Sequence, residues 1–288
     1  MKAANRFRIS LFLAFLALFS FETCEPATIL FDPEHFDIDL DFVTIPAGAF
    51  RFGLYDSEYS LDYDYEILKY PVTVAQYAHY LNEGLKSETV WLVDSLIWGH
   101  YSGDEHWPAA DVALYEIRQP DAAIIFRDGS FQIRSDWAYH PVVWVTWYGA
   151  KLFADFYSCR LPHEEEWEKA ARANSTRDYP WGDEIDGHYA NFLDSGDPFD
   201  NGTTPVDFYN GQRQGSFQTI DAASPYGVYD MAGNVWEWTD GFAGTSVYHI
   251  IKGGSFNNAI RRLRSHDKSL HFPYEKHADF GFRLARLP

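Results

Sequence analysis

The stretch that most constrains this chain runs from Tyr226 to Trp238 and reads YGVYDMAGNVWEW. Three residue kinds are interleaved there. Gly227 and Gly233 open backbone conformations that other residues rarely adopt. Asp230, Asn234 and Glu237 offer side-chain oxygens, while Trp236 and Trp238 offer large apolar area. Oxygens held between buried rings cost free energy unless something pairs with them. Ordinary hydrogen bonds across a turn are one solution. A hard cation is the other, because calcium takes carboxylate and backbone carbonyl oxygens together. A fold that accepts this stretch must bury the indoles and partner the oxygens at once.

The 288 residues suffice for one large domain or two small ones. Hydrophobic residues make up 46% of the chain and aromatic residues 18%, so a sizeable core is available, built on rings rather than aliphatic runs. Rings with polar tips suit an irregular, loop-rich architecture. Lys and Arg number 23 against 42 Asp and Glu, a net charge of −19, which argues against phosphate neutralisation and hence against a nucleic-acid partner. The two cysteines are Cys24 and Cys159, and Cys24 lies near the amino terminus. A disulfide scaffold and a multi-cysteine zinc site are therefore excluded. Cys159 has Arg160 beside it but no second thiol nearby, and reads as a small buried filler rather than a reactive group.

Lys2, Arg6 and Arg8 precede an apolar run over residues 9–21. That run is shorter than the roughly 20 residues a membrane span requires. Residues 1–24 read as a bacterial export signal. Phe21, Glu22 and Thr23 before Cys24 weakly resemble a lipoprotein box, so the alternatives are a lipid anchor on Cys24, simple secretion or an uncleaved anchor. The expected location is periplasmic or at the cell surface. Residues 25–41 are acidic and contain proline, a linker to a domain over residues 42–288.

Within that domain, residues 42–53 read as two short strands around Pro46 and Gly48, and residues 55–65 as an acidic surface loop. Thr73 is placed to cap a helix reaching Leu81, with Val74, Tyr77 and Leu81 on one face. Ile124 to Ile133, with Asp128-Gly129 at its centre, reads as a hairpin. Trp91, Trp98, Trp107 and Trp137 around it either line a groove or, the preferred reading, fill a core under long loops. Thr146 caps a second helix that buries Trp147, Ala150, Phe153, Ala154 and Tyr157. Residues 160–172 form a third, with Pro162 at its start and His163 in the cap position. Its Glu164-Glu165-Glu166 run reads as a solvated first turn that complements the helix dipole.

Several of these blocks, in order, resemble the formylglycine-generating enzyme, or sulfatase-modifying factor, family. The opening I-P-x-G-x-F is present at Ile45 to Phe50, R-L-P-x-E-x-E-W-E at Arg160 to Glu168, Y-P-W-G at Tyr179 to Gly182, and G-x-x-D-M-x-G-N-V-W-E-W at Gly227 to Trp238. Gly253-Gly-Ser-Phe256 and Asp279-Phe-Gly-Phe-Arg283 complete the match. The resemblance implies an α+β fold: a single irregular domain with short strands, two or three helices and long loops, related to the C-type lectin fold. It also implies two calcium sites. The first would use Asn191, the carbonyls of Phe192 and Phe199, and Asp197, with Asp200 as the alternative carboxylate because Pro198 breaks the family pattern. The second would use Asp230, the carbonyls of Gly233 and Val235, and Glu237.

In the family's enzymes, Gly-Gly-Ser-[Phe/Tyr] is followed by two cysteines that bind copper and oxidise a substrate cysteine to formylglycine. A cuprous ion prefers such thiolates. Here those positions are Asn258 and Leu263, so copper and that reaction are not expected. Ser255 and Asp279 match pocket positions, the latter usually Asn. His266, His271 and His277, with Asp267, form a set of iron or zinc ligand types, but no ligand motif fits their spacing and they read as solvated loop residues. Three readings of function remain. One is an exported domain that recognises a protein or small-molecule ligand, or serves as an envelope scaffold. Another is an enzyme with altered, non-haem-iron-type chemistry. The third is a diversified lectin-like receptor with residues 257–276 as its variable surface.

Overall fold

The computed structural model describes the backbone of Leu30–Phe31 and residues 38–199, 201–242 and 247–288. The export-signal reading, Cys24, most of the linker and Asp200 lie outside the described residues.

Strand Trp236–Phe242, the end of the constraining stretch, is central to a four-stranded sheet. It pairs antiparallel with His249–Lys252, which pairs in turn with Lys268–His271. On its other side Phe280–Phe282 runs parallel to it, with Trp238 opposite Phe282. Immediately beyond, Ala285–Arg286 joins a second sheet against Tyr65–Leu68, whose other edge takes Phe42–Ile45. The carboxyl-terminal segment thus stitches two sheets together.

Three fully buried indoles have their N–H groups paired. Trp238 donates to the carbonyl of Val145 (3.1 Å), Trp147 to that of Thr239 (3.0 Å) and Trp167 to Glu237 Oε2 (2.7 Å). Helix α1 (Val74–Lys86) begins where the sequence places it. Thr73 and Gln76 cap it reciprocally, the Gln76 amide donating to Thr73 Oγ1 and the Thr73 amide to Gln76 Oε1. It runs past Leu81, and Ser87 takes the carbonyls of its last turn. Helix α2 (Trp147–Phe156) is capped by Thr146. Tyr77 of α1 stacks on Phe153 of α2 with centroids 5.6 Å apart, joining both helices in the larger core. The Ile124–Arg127 and Ser130–Arg134 hairpin also forms, with Asp128 and Gly129 both at positive φ, as a tight two-residue turn requires.

Three expectations need correction. The two strands in residues 42–53 form but do not pair with each other; Gly48–Phe52 pairs instead with Ser57–Leu61, so residues 55–65 contain a strand rather than only a loop. Across that ladder Tyr59 meets Phe50 edge to face and Phe52 at a tilt, and the ring contacts outweigh the local acidity.

The glutamates of α3 (Glu164–Arg172) are not a solvated turn. Glu164, Glu166 and Glu168 are buried. Arg160 grips Glu166 with two bonds of 2.6 Å, and Glu166 also accepts the amide of His163, whose ring contributes nothing to the cap. Glu168 takes Arg172 (2.6 Å), Lys252 (3.0 Å) and the Gly53 amide (2.7 Å). Glu164 meets Lys268 at 2.9 Å. Arg160 and Arg172 are local, but Lys252 and Lys268 come from 84 and 104 residues away, which a local reading of the run does not see. Glu166 is held below the ordinary carboxylate range: its burial opposes this, but Arg160 and the His163 amide outweigh it.

The third correction concerns the tryptophans. Trp107 and Trp137 pack on the larger core as expected, but Trp137 also faces the cleft described below. Cys159 is half-buried against that core, and burial pushes its thiol up, as befits a filler.

Candidate functional site

The Gly-rich turn lies at the end of strand His249–Lys252, with Gly253 and Gly254 both at positive φ. A Cβ on Gly254 would sit 2.8 Å from the Arg262 carbonyl and 2.9 Å from Leu263 Cδ1, so the turn is pressed onto the segment that follows. That places Ser255, fully buried, beside Asp279 at the entry to Phe280–Phe282. Ser255 Oγ donates to Asp279 Oδ2 at 2.6 Å, and Asn258 Oδ1 stands 3.0 Å from the same hydroxyl. Asn258 is further fixed by its amide on the Ser255 carbonyl (3.1 Å) and by accepting the Leu193 amide (3.0 Å).

Of the four candidate pocket residues Ser255, Asn258, Leu263 and Asp279, the structure brings Ser255, Asn258 and Asp279 together. Leu263 is not part of that group. It is fully buried in a cluster with Tyr179, Ala190, Phe192 and Ala232.

The adjoining cleft has a volume of about 890 Å³ and is lined by Asp121, Asp136, Trp137, Tyr139, His140 and Phe199 among others. A narrower recess sharing Asp121 and Trp137 extends it to Phe256 and Ala278, the neighbours of Ser255 and Asp279. His140 stacks on Trp137 with centroids 4.8 Å apart and shares a 2.9 Å hydrogen bond with Thr203. Burial pushes its imidazole down to about 4, so it is neutral at neutral pH. The cleft thus offers an aromatic wall and two carboxylates. His140, Asp121 and Asp136 are not among the residues singled out from the sequence, because no motif marks them. The one available signal was the tryptophan cluster.

Phe199 belongs both to this wall and to the first candidate calcium loop. There Asn191 donates to the Gly202 carbonyl (2.8 Å), while its buried Oδ1 has no hydrogen-bond partner. Asp197 is buried and accepts from Ser195 (2.7 Å), Tyr209 (2.9 Å) and the Phe199 amide (2.6 Å). The Phe192 and Phe199 carbonyls accept one amide each, Ser195 and Gly202, which leaves a lone pair on either. An unpaired buried amide oxygen among such acceptors fits a hard cation.

The second candidate set is arranged differently. Glu237 is fully buried and takes Arg283 Nε (2.6 Å), Arg283 Nη2 (2.7 Å) and Trp167. Arg283 also donates to the carbonyls of Leu68 (3.0 Å) and Tyr229 (2.9 Å) and, more loosely, to that of Asp230 (3.4 Å). Burial raises the Asp230 carboxyl to about 6, even though the Asp207 amide and Arg283 favour its charged form. Gly233 lies at positive φ, and a Cβ there would stand 2.2 Å from the Asn191 carbonyl, so both the backbone conformation and the close approach of the two loops require glycine. The carbonyls of Gly233 and Val235 belong to this same turn. The positive charge among these oxygens is supplied by Arg283, so the first loop fits a cation better than the second.

The histidine set divides. Asp267 is held by Arg262 with bonds of 2.9 and 3.0 Å, and His266 lies beside it in a groove lined by Arg261, Arg264 and Lys268. His271 and His277 instead converge on Glu275, which the sequence reading did not include.

A family model of the sulfatase-modifying factor enzyme 1-like domain matches residues 32–288. The formylglycine-generating enzyme of Thermomonospora curvata is 28% identical over 88% of this chain and 95% of its own length. The serine/threonine-protein kinase pkn1 of Chlamydia caviae is 36% identical over 59% of this chain, and the match spans 28% of that protein. Among solved structures, PvdO from Pseudomonas aeruginosa superposes with a TM-score of 0.60 at 22% identity, covering 91% of this chain and 98% of its own.

Proposed function

Because this chain belongs to the sulfatase-modifying factor enzyme 1-like family, we propose that it uses the family frame to bind a ligand and does not make formylglycine. One observation carries the reading. Leu263, where the resemblance puts the second copper thiolate, is a fully buried apolar core residue, and Asn258, at the first, is hydrogen-bonded to the Ser255 turn. The polar groups that remain there satisfy one another through Ser255 and Asp279.

The ligand site is the adjoining cleft. Trp137, Tyr139 and Phe199 suit an apolar body, and Asp121 and Asp136 suit a cationic or hydrogen-bond-donating end. The Asn191 loop holds calcium, and through Phe199 that ion braces the cleft wall. The protein acts outside the cytoplasm, directed there by residues 1–24, with Cys24 as the point of lipid attachment if the leader is cleaved before it.

The test is an aldehyde assay. Purified protein is incubated with copper, oxygen and a cysteine peptide that copies a sulfatase site. No aldehyde is expected, and turnover to the aldehyde sinks the reading. In parallel, Trp137→Ala is expected to abolish retention of amphipathic cationic ligands without unfolding the chain. The reading of an enzyme with altered metal chemistry draws its support from a single place, the meeting of His271, Glu275 and His277.

A further inference from the structure

We infer that His271, Glu275 and His277 form a binding site for one divalent transition-metal ion of the zinc or ferrous type. The three ligand atoms lie within 4.8 Å of one another. His271 Nδ1 is 2.6 Å from Glu275 Oε2, and His277 Nε2 is 3.8 Å from the same oxygen. An ion with bonds of 2.0–2.1 Å to nitrogen and oxygen holds adjacent tetrahedral ligands ~3.4 Å apart. The two separations straddle that value, so shifts of under ~1 Å would seat the ion. Two imidazoles and one carboxylate are a donor set that selects zinc or ferrous iron over calcium.

The surroundings hold the ligands in place. Glu275 Oε1 accepts the Phe272 amide (3.2 Å) and the Glu275 amide returns to the Phe272 carbonyl (3.0 Å), which leaves Oε2 facing the imidazoles. The Phe280 ring lies 4.6 Å from the His271 ring and 4.5 Å from the His277 ring, and orients both. The His277 carbonyl is tied to the Trp144 amide (2.9 Å).

On its far side, His271 Nε2 meets Ser269 Oγ at 3.1 Å. A hydroxyl can donate or accept, so it can take the Nε2 proton when Nδ1 turns to a metal, as a ligating histidine requires. Lys276 lies between two of the ligands in sequence, but its ammonium is drawn to Glu116 (3.5 Å). The His277 side chain is 51% exposed, so the remaining coordination positions face solvent.

None of the three residues lines the cleft. The metal site therefore stands or falls separately from the ligand reading. The test uses chelator-stripped full chain, titrated with zinc by calorimetry, with cobalt by visible absorption and, anaerobically, with ferrous iron. One ion per chain is expected. His277→Ala and Glu275→Gln should each weaken binding by more than ~100-fold, and Ser269→Ala by ~10-fold. The unfolding midpoint of His277→Ala should stay unchanged, because the ring is half exposed. Excess calcium should not displace the zinc. The proposal is overturned by the lack of stoichiometric binding, by equal affinity in the ligand variants, or by displacement with calcium, which would place the ion in the oxygen-lined loops.

Discussion

Helix α3 and the segment from His271 to His277 both concentrate ionisable groups, and they are built to opposite ends. In α3 each of Glu164, Glu166 and Glu168 is buried and has a cation assigned to it, drawn from Arg160, Arg172, Lys252 and Lys268. Around Glu275 a single carboxylate stands between two imidazoles at the surface. A closed set of buried charges adds rigidity but has no capacity left for a ligand. An open set contributes little to stability and keeps that capacity. The Arg283–Glu237 pair belongs with α3; the Asn191 loop, with its unpaired Oδ1, belongs with Glu275.

The sharpest way to break this contrast is Arg283→Met. It strands a buried Glu237 and should cost ~3–5 kcal/mol in denaturant unfolding; a loss under ~1 kcal/mol would show that the closed sets are not structural. Leu263→Ala should cost ~3 kcal/mol as a core cavity, whereas a residue of an exposed metal pocket would cost almost nothing there. Calcium at about 100 times its dissociation constant should raise stability by ~2.7 kcal/mol, and Asn191→Leu should remove that gain. If the gain survives Asn191→Leu but is lost in Asp230→Asn, the second loop is the cation site. Smallest is His249→Phe. Both nitrogens of the buried His249 lack partners and its ring stacks on Trp147 at 3.9 Å. Removing them should stabilise the fold by ~1–2 kcal/mol.

Acid sensitivity follows from the same residues. Burial holds His249 down to about 3 and His140 down to about 4, against 6.5 for the free side chain. The unfolded chain therefore binds more protons than the folded one across that window. Stability is fully present above pH 6.5 and falls as the pH drops toward 4 and then 3. His249→Phe should flatten the lower part of this decline in pH-dependent melting.

The legible features were those whose partners lie close in sequence. Thr73 and Gln76 are three residues apart, and Asp128-Gly129 sits between its own two strands. Ser255, Asn258 and Asp279 were legible through the family blocks, since Ser255 and Asp279 are 24 residues apart. What sequence could not show was closure over distance. Glu164 meets Lys268 across 104 residues, so the acidic run looked solvated. Glu237 meets Arg283 across 46, so a carboxylate already paired looked free for calcium. Grouping the histidines by proximity in sequence enlists Asp267, which Arg262 holds, and leaves out Glu275, on which His271 and His277 converge.

The stitching of two sheets by residues 280–286 makes both sheets depend on one short segment. Without that segment Trp236–Phe242 lacks its parallel neighbour, Tyr65–Leu68 lacks one edge strand, and Glu237 has no counterion. Losing a few of these residues should therefore cost the whole domain rather than fray one strand.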